Sequence, residues 1–427
     1  MSEVNNKRER KNIFRKLIHF FALNSSILGM LIMVILVGMG EKMAERFLPL
    51  YIIAMGGSSI IIGLLNGMDN LLSALYSFPG GWLADKFGYK KALTVFNLMA
   101  MFGYLIVVIF PSWIAVLVGA VFFISWTAIS LPATMSLISS AVPPNRRSMG
   151  ISLNSIVKRI PMSLGPILGG ALILHYGRIQ GVRYAFIVAF ILAGVALIVQ
   201  NKFIQEQPPK AKTEQKKSSR RFSSNLRHLL VSDILVRFCE QIPYAFVVVW
   251  VVENNHINEL QFGILTTIEM VTAMLIYIPV AYLADRSTRK PYVAITFFNF
   301  TVFPLVLLLS HSFPAMVIAF IIRGLKEFGE PTRKAMIMDL APEDAKAYTF
   351  GTYYLIRDVI VSFAAFGGAF LWQKSPQLNF LTASAFGLLG TLYFIFKVKP
   401  QKQFYLPESA NSEKLFLPGE KRERKIK

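Results

Sequence analysis

Charged side chains inside long apolar runs are the residues of this chain whose types and spacing could do chemistry. The run at 26–54 carries Glu41, Lys42, Glu45 and Arg46. Glu41 and Glu45 stand four apart and so share one helix face. Glu41 lies about 15 residues into the run, roughly 22 Å along a helix and near mid-membrane. The run at 229–253 carries Arg237, Glu240 and Gln241, and the run at 313–340 carries Arg323, Lys326, Glu327 and Glu330. These last four recur at three or four residues and form one polar stripe. A charge at the centre of a bilayer costs roughly 2.5–3.5 kcal/mol even on a lenient insertion scale. Repeating that cost needs a water-filled path or ion pairs inside a bundle. The chemistry open to such groups is proton uptake and release by a carboxylate, or contact with a charged solute. Pairing is the structural alternative: Glu41 with Lys42 or Arg46, Glu240 with Arg237, and the last stripe with itself.

Other chemistries lack their residues. The single cysteine, Cys239, excludes an internal disulfide and a thiolate metal cluster. The five histidines are scattered, and no pair has ligand spacing on a helix. No phosphate-binding G-x-x-x-x-G-K-[ST] loop and no nucleophile–base pair is present. The expectation is a protein that is not an enzyme, has no metal and no cofactor, and draws on a proton or ion gradient.

The elements that must hold these charges are membrane helices. The chain has 427 residues, 54% of them hydrophobic, with a mean hydropathy of +0.51. That is too apolar for a soluble globule of this size. Twelve segments of spanning length are predicted near 26–54, 59–83, 92–110, 113–142, 149–174, 184–200, 229–253, 261–284, 291–310, 313–340, 348–372 and 379–396. The units are then a basic segment 1–25, a six-helix bundle 26–200, a linker 201–228 rich in Lys, Arg, Ser and Gln, a second bundle 229–397, and a basic tail 398–427. Residues 1–25 show no signal-peptide pattern. With the N-terminus inside, the basic loops, linker and tail fall on one face, including Arg333, Lys334 and Lys346, and the other face keeps Arg178, Arg183 and Lys374. This asymmetry places both termini in the cytoplasm. It also accounts for most of the net charge of +21. Anionic lipid head groups, not nucleic acid, are therefore the expected partners of the basic segments.

The chain is also internally duplicated. The turn Gly81–Lys91 recurs at Ala281–Lys290, with Leu83/Leu283, Ala84/Ala284, Asp85/Asp285 and Lys90/Lys290 offset by 200 residues; Gly63/Gly263, Asp69/Glu269 and Pro79/Pro279 share that offset. Glu41/Glu240, Phe47/Phe246, Pro132/Pro331, Lys158/Arg357 and Gly169/Gly368 are offset by 199. A nearly constant register of this kind marks a repeated membrane unit.

At these residues the chain resembles the major facilitator superfamily. Gly81, Leu83, Asp85, Lys86, Gly88 and Lys90 match that family's signature loop between the second and third helices, and Asp285, Arg286 and Lys290 form its degenerate echo. In span five, Gly165, Pro166, Gly169 and Gly170 resemble a Gly-Pro motif of proton-coupled exporters, although Pro161 stands where that motif has Gly. Ordinary close packing explains the same residues equally well. Residues 125–130 of span four lack the buried Arg of exporter-type members; Arg323 in span ten is the nearest substitute. The resemblance implies an all-α fold of two pseudo-symmetric six-helix bundles that alternates between inward-open and outward-open states. It implies that spans one, seven and ten line a central cavity. Trp126, Tyr244, Trp250, Tyr353 and Tyr354 are candidates to face it, with core or lipid-facing packing the alternative for each. The resemblance also implies that span two packs on eleven and span five on eight. Matching depths then predict two gating pairs, Asp69–Arg357 and Glu269–Lys158, with Arg159 or Asp358 nearby. Pairing of each charge within its own half is the alternative.

These observations together predict a monomeric, multi-pass transporter of a small organic solute in a bacterial-type plasma membrane. The expected coupling is to protons through Glu41, Glu240 or Glu327, with Glu45, Arg323, Lys326 and Glu330 as further solute or proton contacts. The span-five motif tips direction toward export; proton-coupled uptake is the runner-up. A non-transporting receptor on a transporter fold is the reading of a different class, and it gives no reason to keep membrane acids.

Overall fold

In the computed structural model the described residues are 25–123, 126, 130, 134, 137, 147–205, 222–285, 288–342 and 346–399, with side chains at 77, 78, 81, 85, 147–156, 277, 278, 281, 282, 284, 285 and 346–348 left aside. Among the described residues all regular structure is helical. Nine stretches among them are long and apolar enough to cross a bilayer. One, Val157–Phe203, has 47 residues, about 70 Å of helix and twice a bilayer core. It bends at Gly177, where φ is 77°, so it supplies spans five and six. Span four is described as the shorter apolar helix Trp113–Phe123; most of its expected continuation lies outside the described residues.

Three spans expected to be continuous are broken. Span one is a helix Ser25–Glu45, a turn at Arg46–Phe47, and a second helix Leu48–Ala54 with Pro49 in its first turn. Span seven ends its first helix Ser224–Gln241 before Pro243 and continues through short 3-10, α and π turns to Asn254. Span ten divides into Phe313–Leu325 and Glu330–Leu340, with Pro331 opening the second piece. Proline has no N–H and clashes with the preceding turn, so each proline favours an interruption of its helix. Breaks leave carbonyls that lipid cannot satisfy, so protein must. Asn66 Nδ2 donates to the Gln241 carbonyl at 3.1 Å, and Asn379 Nδ2 donates to the Ile242 carbonyl at 3.3 Å.

The duplication is visible in the packing. Gly169 sits on the Met43 backbone of span one, and its mate Gly368 sits on the Ile242 backbone of span seven. Gly63 packs on Ala369 of span eleven, and its mate Gly263 packs on Pro166 of span five. The two turns repeat even a single contact. Lys90 Nζ donates to the Asn201 carbonyl at 3.0 Å, and Lys290 Nζ donates to the Ile395 carbonyl at 2.7 Å, each capping the end of the sixth helix of its half. Gly88, with φ of 86°, makes the reversal between helices Ser59–Phe87 and Tyr89–Ile109. Lys86 lies over the Trp82 ring at 4.7 Å. The side chains of Gly81, Asp85 and Asp285, and all of Arg286, lie outside the described residues; Leu83 is half-buried. Large apolar side chains cover the outer surface: Leu309 is 78% exposed, Phe396 77% and Phe363 72%. Such a surface is suited to lipid and not to water.

Candidate functional site

The three breaks meet. Glu45 and Arg46 at the first, Tyr244 after the second and Arg323 before the third line one cavity. Asp69 of span two, Asn66, and the apolar Leu48, Pro49, Ile62, Leu65, Val247, Val248 and Phe262 complete the wall. A largely apolar pocket with a few convergent polar groups is the lining pattern of a small-molecule site. Breaking a helix here turns side chains and backbone toward the cavity at mid-span, which an unbroken helix presents only on one stripe.

Around the cavity the charges are paired unequally. Lys42 bridges Glu41, at 3.1 Å, and Glu45. Glu269 lies within ion-pair distance of Arg323, at 3.3 Å, and of Lys326, at 3.4 Å, and Lys326 reaches Glu240 at 2.8 Å. Glu240 also holds Arg237, which reaches Glu330 at 3.4 Å. Arg333 then joins Glu330, at 2.7 Å, to Asp233. Arg357 closes the chain, 3.5 Å from Asp233 and 2.7 Å from Asp358. Ten charges of balanced sign thus run through the second half, from the cavity wall at Arg323 to Asp358. Tyr353 donates to Asp233 at 3.1 Å, and Arg357 lies over the Tyr354 ring at 4.2 Å.

Two cavity charges stand outside these pairs. Arg46 has no carboxylate within ion-pair distance among the described residues; its guanidinium lies 5.2 Å from the centre of the Tyr244 ring. Arg323 lies 5.9 Å from that ring. Asp69 has only the hydroxyl of Ser73, at 3.5 Å.

The expected gating pairs Asp69–Arg357 and Glu269–Lys158 are not formed in this structure. Their directions are the reason. Gly63 and Gly67 face span eleven, and Thr267 donates to the Ser163 carbonyl of span five at 2.7 Å. Asp69 and Glu269 each stand two residues beyond that contact face, roughly 200° round the helix. They point inward, so Glu269 and Arg357 find partners in their own half. Lys158 shares a separate cavity of about 290 Å³ with Glu41, Lys42, Trp126 and Pro161. One ion pair near mid-span does join the halves: Arg159 donates to Glu327 at 3.0 Å. Arg333, expected on the cytoplasmic face, is only 1% exposed. Of the aromatic candidates, Tyr244 lines the central cavity; Trp126 donates to buried Asn97 at 2.8 Å and Trp250 to the Leu307 carbonyl at 3.1 Å, both structural bonds.

The sequence reading passed over Arg46 and Asp69 as solute contacts and missed Asp233 and Arg333. Pro49, beside the charged turn, was the available signal for Arg46, and the spacing of Gly63 and Gly67 was the signal for Asp69.

The halves touch closely at the end that carries Gly177. Gly63 packs on Ala369, Gly170 on the Glu259 backbone, and Arg178 bonds Glu253 and, at 3.0 Å, Glu259. The Gly-Pro stretch of span five is therefore a packing element between spans one and eight. The Arg178 pairs are partly exposed and each contributes only about 0–1 kcal/mol. Arg178→Ala is expected to raise labelling of a cysteine placed at Ile62, in the cavity wall, by a few-fold when reagent is added from that end. Unchanged labelling would remove Arg178 from the closure.

The chain matches the family model described as Major Facilitator Superfamily over residues 30–239 and 229–424. It is 24% identical over 376 residues to an uncharacterized MFS-type transporter of Methanocaldococcus jannaschii, covering 84% of this chain and 91% of that protein. Among solved structures it resembles a POT family transporter in complex with a thioalcohol conjugated peptide, with a TM-score of 0.73 at 12% identity over 88% of this chain and 98% of that one. It also resembles a bacterial homolog of the human lysosomal transporter Spinster in an inward-facing, unoccupied conformation, with a TM-score of 0.66 at 14% identity over 87% and 96% of the two chains. At these identities the likeness is one of fold.

Proposed function

We propose, for a chain that belongs to the Major Facilitator Superfamily and is a multi-pass membrane transporter, that it carries a small organic solute against protons, with Asp69 as the exchanging carboxylate. One observation carries this reading. Glu41, Glu45, Glu240, Glu269, Glu327 and Glu330 each hold a basic side chain, whereas Asp69 faces the cavity with only a hydroxyl. A carboxylate locked to a cation changes protonation only when the pair breaks, while an unpaired one responds to whatever enters the cavity. Proton and solute cation then compete for Asp69: a proton arriving releases the solute, and the solute arriving displaces the proton. This moves the proton role from Glu41, Glu240 and Glu327 to Asp69.

Competition at one carboxylate gives exchange of solute for proton, which under an inward proton gradient is export. The basic-loop asymmetry supports an orientation with the Gly177 end outside. The close contacts there support an inward-facing state, ready to load solute from the cytoplasm. A tolerance screen tests the proposal. Cells expressing the chain are compared with cells expressing Asp69→Asn across classes of toxic organic compounds at two external pH values. The expected result is tolerance to one class, stronger at the lower pH, and its loss in Asp69→Asn at equal membrane expression. Equal tolerance in both, or sensitisation by the wild type, would overturn it.

A further inference from the structure

The central cavity holds one unsatisfied charge of each sign, and we infer that its solute is amphoteric: a small organic molecule with a carboxylate or equivalent anion for Arg46 and an ammonium or equivalent cation for Asp69. The inference rests on the reading that this cavity is the solute site.

Pairing decides the argument. Glu45 and Arg323 also face the cavity, but Lys42 holds the first and Glu269 the second. Each therefore has an ion-pair partner before any solute arrives. Arg46 and Asp69 are not balanced: the first lies over the Tyr244 ring and the second takes a 3.5 Å hydroxyl contact. A ring face contributes less to a guanidinium than a carboxylate does, and one hydroxyl leaves most of a carboxylate's acceptor capacity unused.

Each simpler solute leaves a charge uncompensated. A cation satisfies Asp69 but brings positive charge toward Arg46. An anion satisfies Arg46 but faces Asp69. A neutral solute expels water from both and replaces neither contact, and a partly desolvated charge without a partner is costly. A molecule with both groups completes both contacts and adds no net charge to the membrane interior. The rest of the wall fixes its body. Leu65, Val248 and Phe262 are apolar, and Tyr244 sets an aromatic face between Arg46 and Arg323. The solute is therefore amphoteric at its ends and apolar or aromatic between or beside them. Its contacts come from both halves, Arg46 and Asp69 from the first and Tyr244 from the second, so it also links the parts that must move.

The test uses the purified full-length protein in detergent and two matched triads. The first is phenylalanine, its methyl ester and N-acetylphenylalanine. The second is phenylalanylphenylalanine, its methyl ester and its N-acetyl derivative. The ester keeps only the cation and the acetyl form only the anion. Binding is read as the shift in unfolding temperature with concentration. At least one zwitterion is expected to bind at least about tenfold more tightly than both of its partners, the effect of one charged hydrogen-bonding contact. Arg46→Gln should reduce that zwitterion to the level of its ester while leaving the ester unchanged. Asp69→Asn should reduce it to the level of the acetyl form and leave that form unchanged. A variant that merely misfolds loses all three ligands, so the selective pattern is its own control. No preference for the zwitterion in either triad, or equal damage to zwitterion and ester in Arg46→Gln, would overturn the inference. This measurement uses no gradient. A zwitterion preference beside unchanged tolerance in Asp69→Asn cells leaves the amphoteric site and removes the proton role. Lost tolerance in those cells without a zwitterion preference does the reverse.

Discussion

Arg333→Ala is expected to destabilise the folded protein by about 3–5 kcal/mol, the range for removing one partner of a buried ion pair. Arg333 is 1% exposed and its guanidinium holds two carboxylates, Asp233 and, through Nε at 3.0 Å and Nη2 at 2.7 Å, Glu330. Removing it leaves Asp233 to Arg357 at 3.5 Å and Arg237 at 4.0 Å, and leaves Glu330 to Arg237 and Lys334, both at 3.4 Å. Those cations already serve other groups, so one negative charge stays uncompensated in a low-dielectric interior. Interhelical hydrogen bonds in membrane proteins average about 0.6 kcal/mol and reach about 1.7, so Tyr353→Phe, which deletes a 3.1 Å bond to the same Asp233 but leaves its cations, should cost less. Adding Asp233→Asn to Arg333→Ala should recover part of the loss, because it removes the stranded charge. Unfolding midpoints of the purified variants decide this. A loss for Arg333→Ala no larger than for Tyr353→Phe would show that the cluster is not a charge-balanced unit.

That cluster also marks how far the sequence can be read. The membrane-helical class, the duplication and the family could be read because apolar length and a constant offset are one-dimensional signals. Lys90 and Lys290 were paired by offset alone, and they make the same contact in the two halves. Direction could not be read. Asp69 and Arg357 lie on facing spans, but which side of a helix meets its neighbour is set by where small residues permit contact. Gly63 and Gly67 fix that side for span two, and a closer reading of their spacing would have turned Asp69 toward the cavity. Arg333 was assigned to the cytoplasmic face because charge asymmetry treats a basic residue near a span end as a flank. Its burial depends on Asp233, 100 residues away in sequence. Broken helices were missed for a related reason: Pro49, Pro243 and Pro331 are compatible with a kink as well as a break, and tertiary capping by Asn66 and Asn379 decides between them.

Gly169→Val should be nearly as damaging, through packing instead of charge. A Cβ on Gly169 would fall inside the van der Waals envelope of the Met43 carbonyl oxygen, 2.9 Å from the Met43 carbonyl carbon and 3.1 Å from the Phe47 ring. The obstructing atoms are mostly backbone, so no rotamer change relieves the clash. Spans one and five must separate, and overpacking of this kind costs about 1–3 kcal/mol or more. The separation falls between Lys42 and Phe47, the stretch that presents Glu45 and Arg46 to the cavity. The variant should therefore lose binding in the cavity along with stability, and even Gly169→Ala should show part of both effects. Gly351→Ala is the matched control: it sits within helix Lys346–Lys374, a Cβ there meets nothing within 4 Å, and alanine is the better helix former by about 1 kcal/mol. It should leave the unfolding midpoint unchanged or raise it slightly. If Gly169→Val and Gly351→Ala unfold at the same temperature, the close approach of spans one and five is not what holds the charged turn in place, and the small residues of span five must serve the moving states instead.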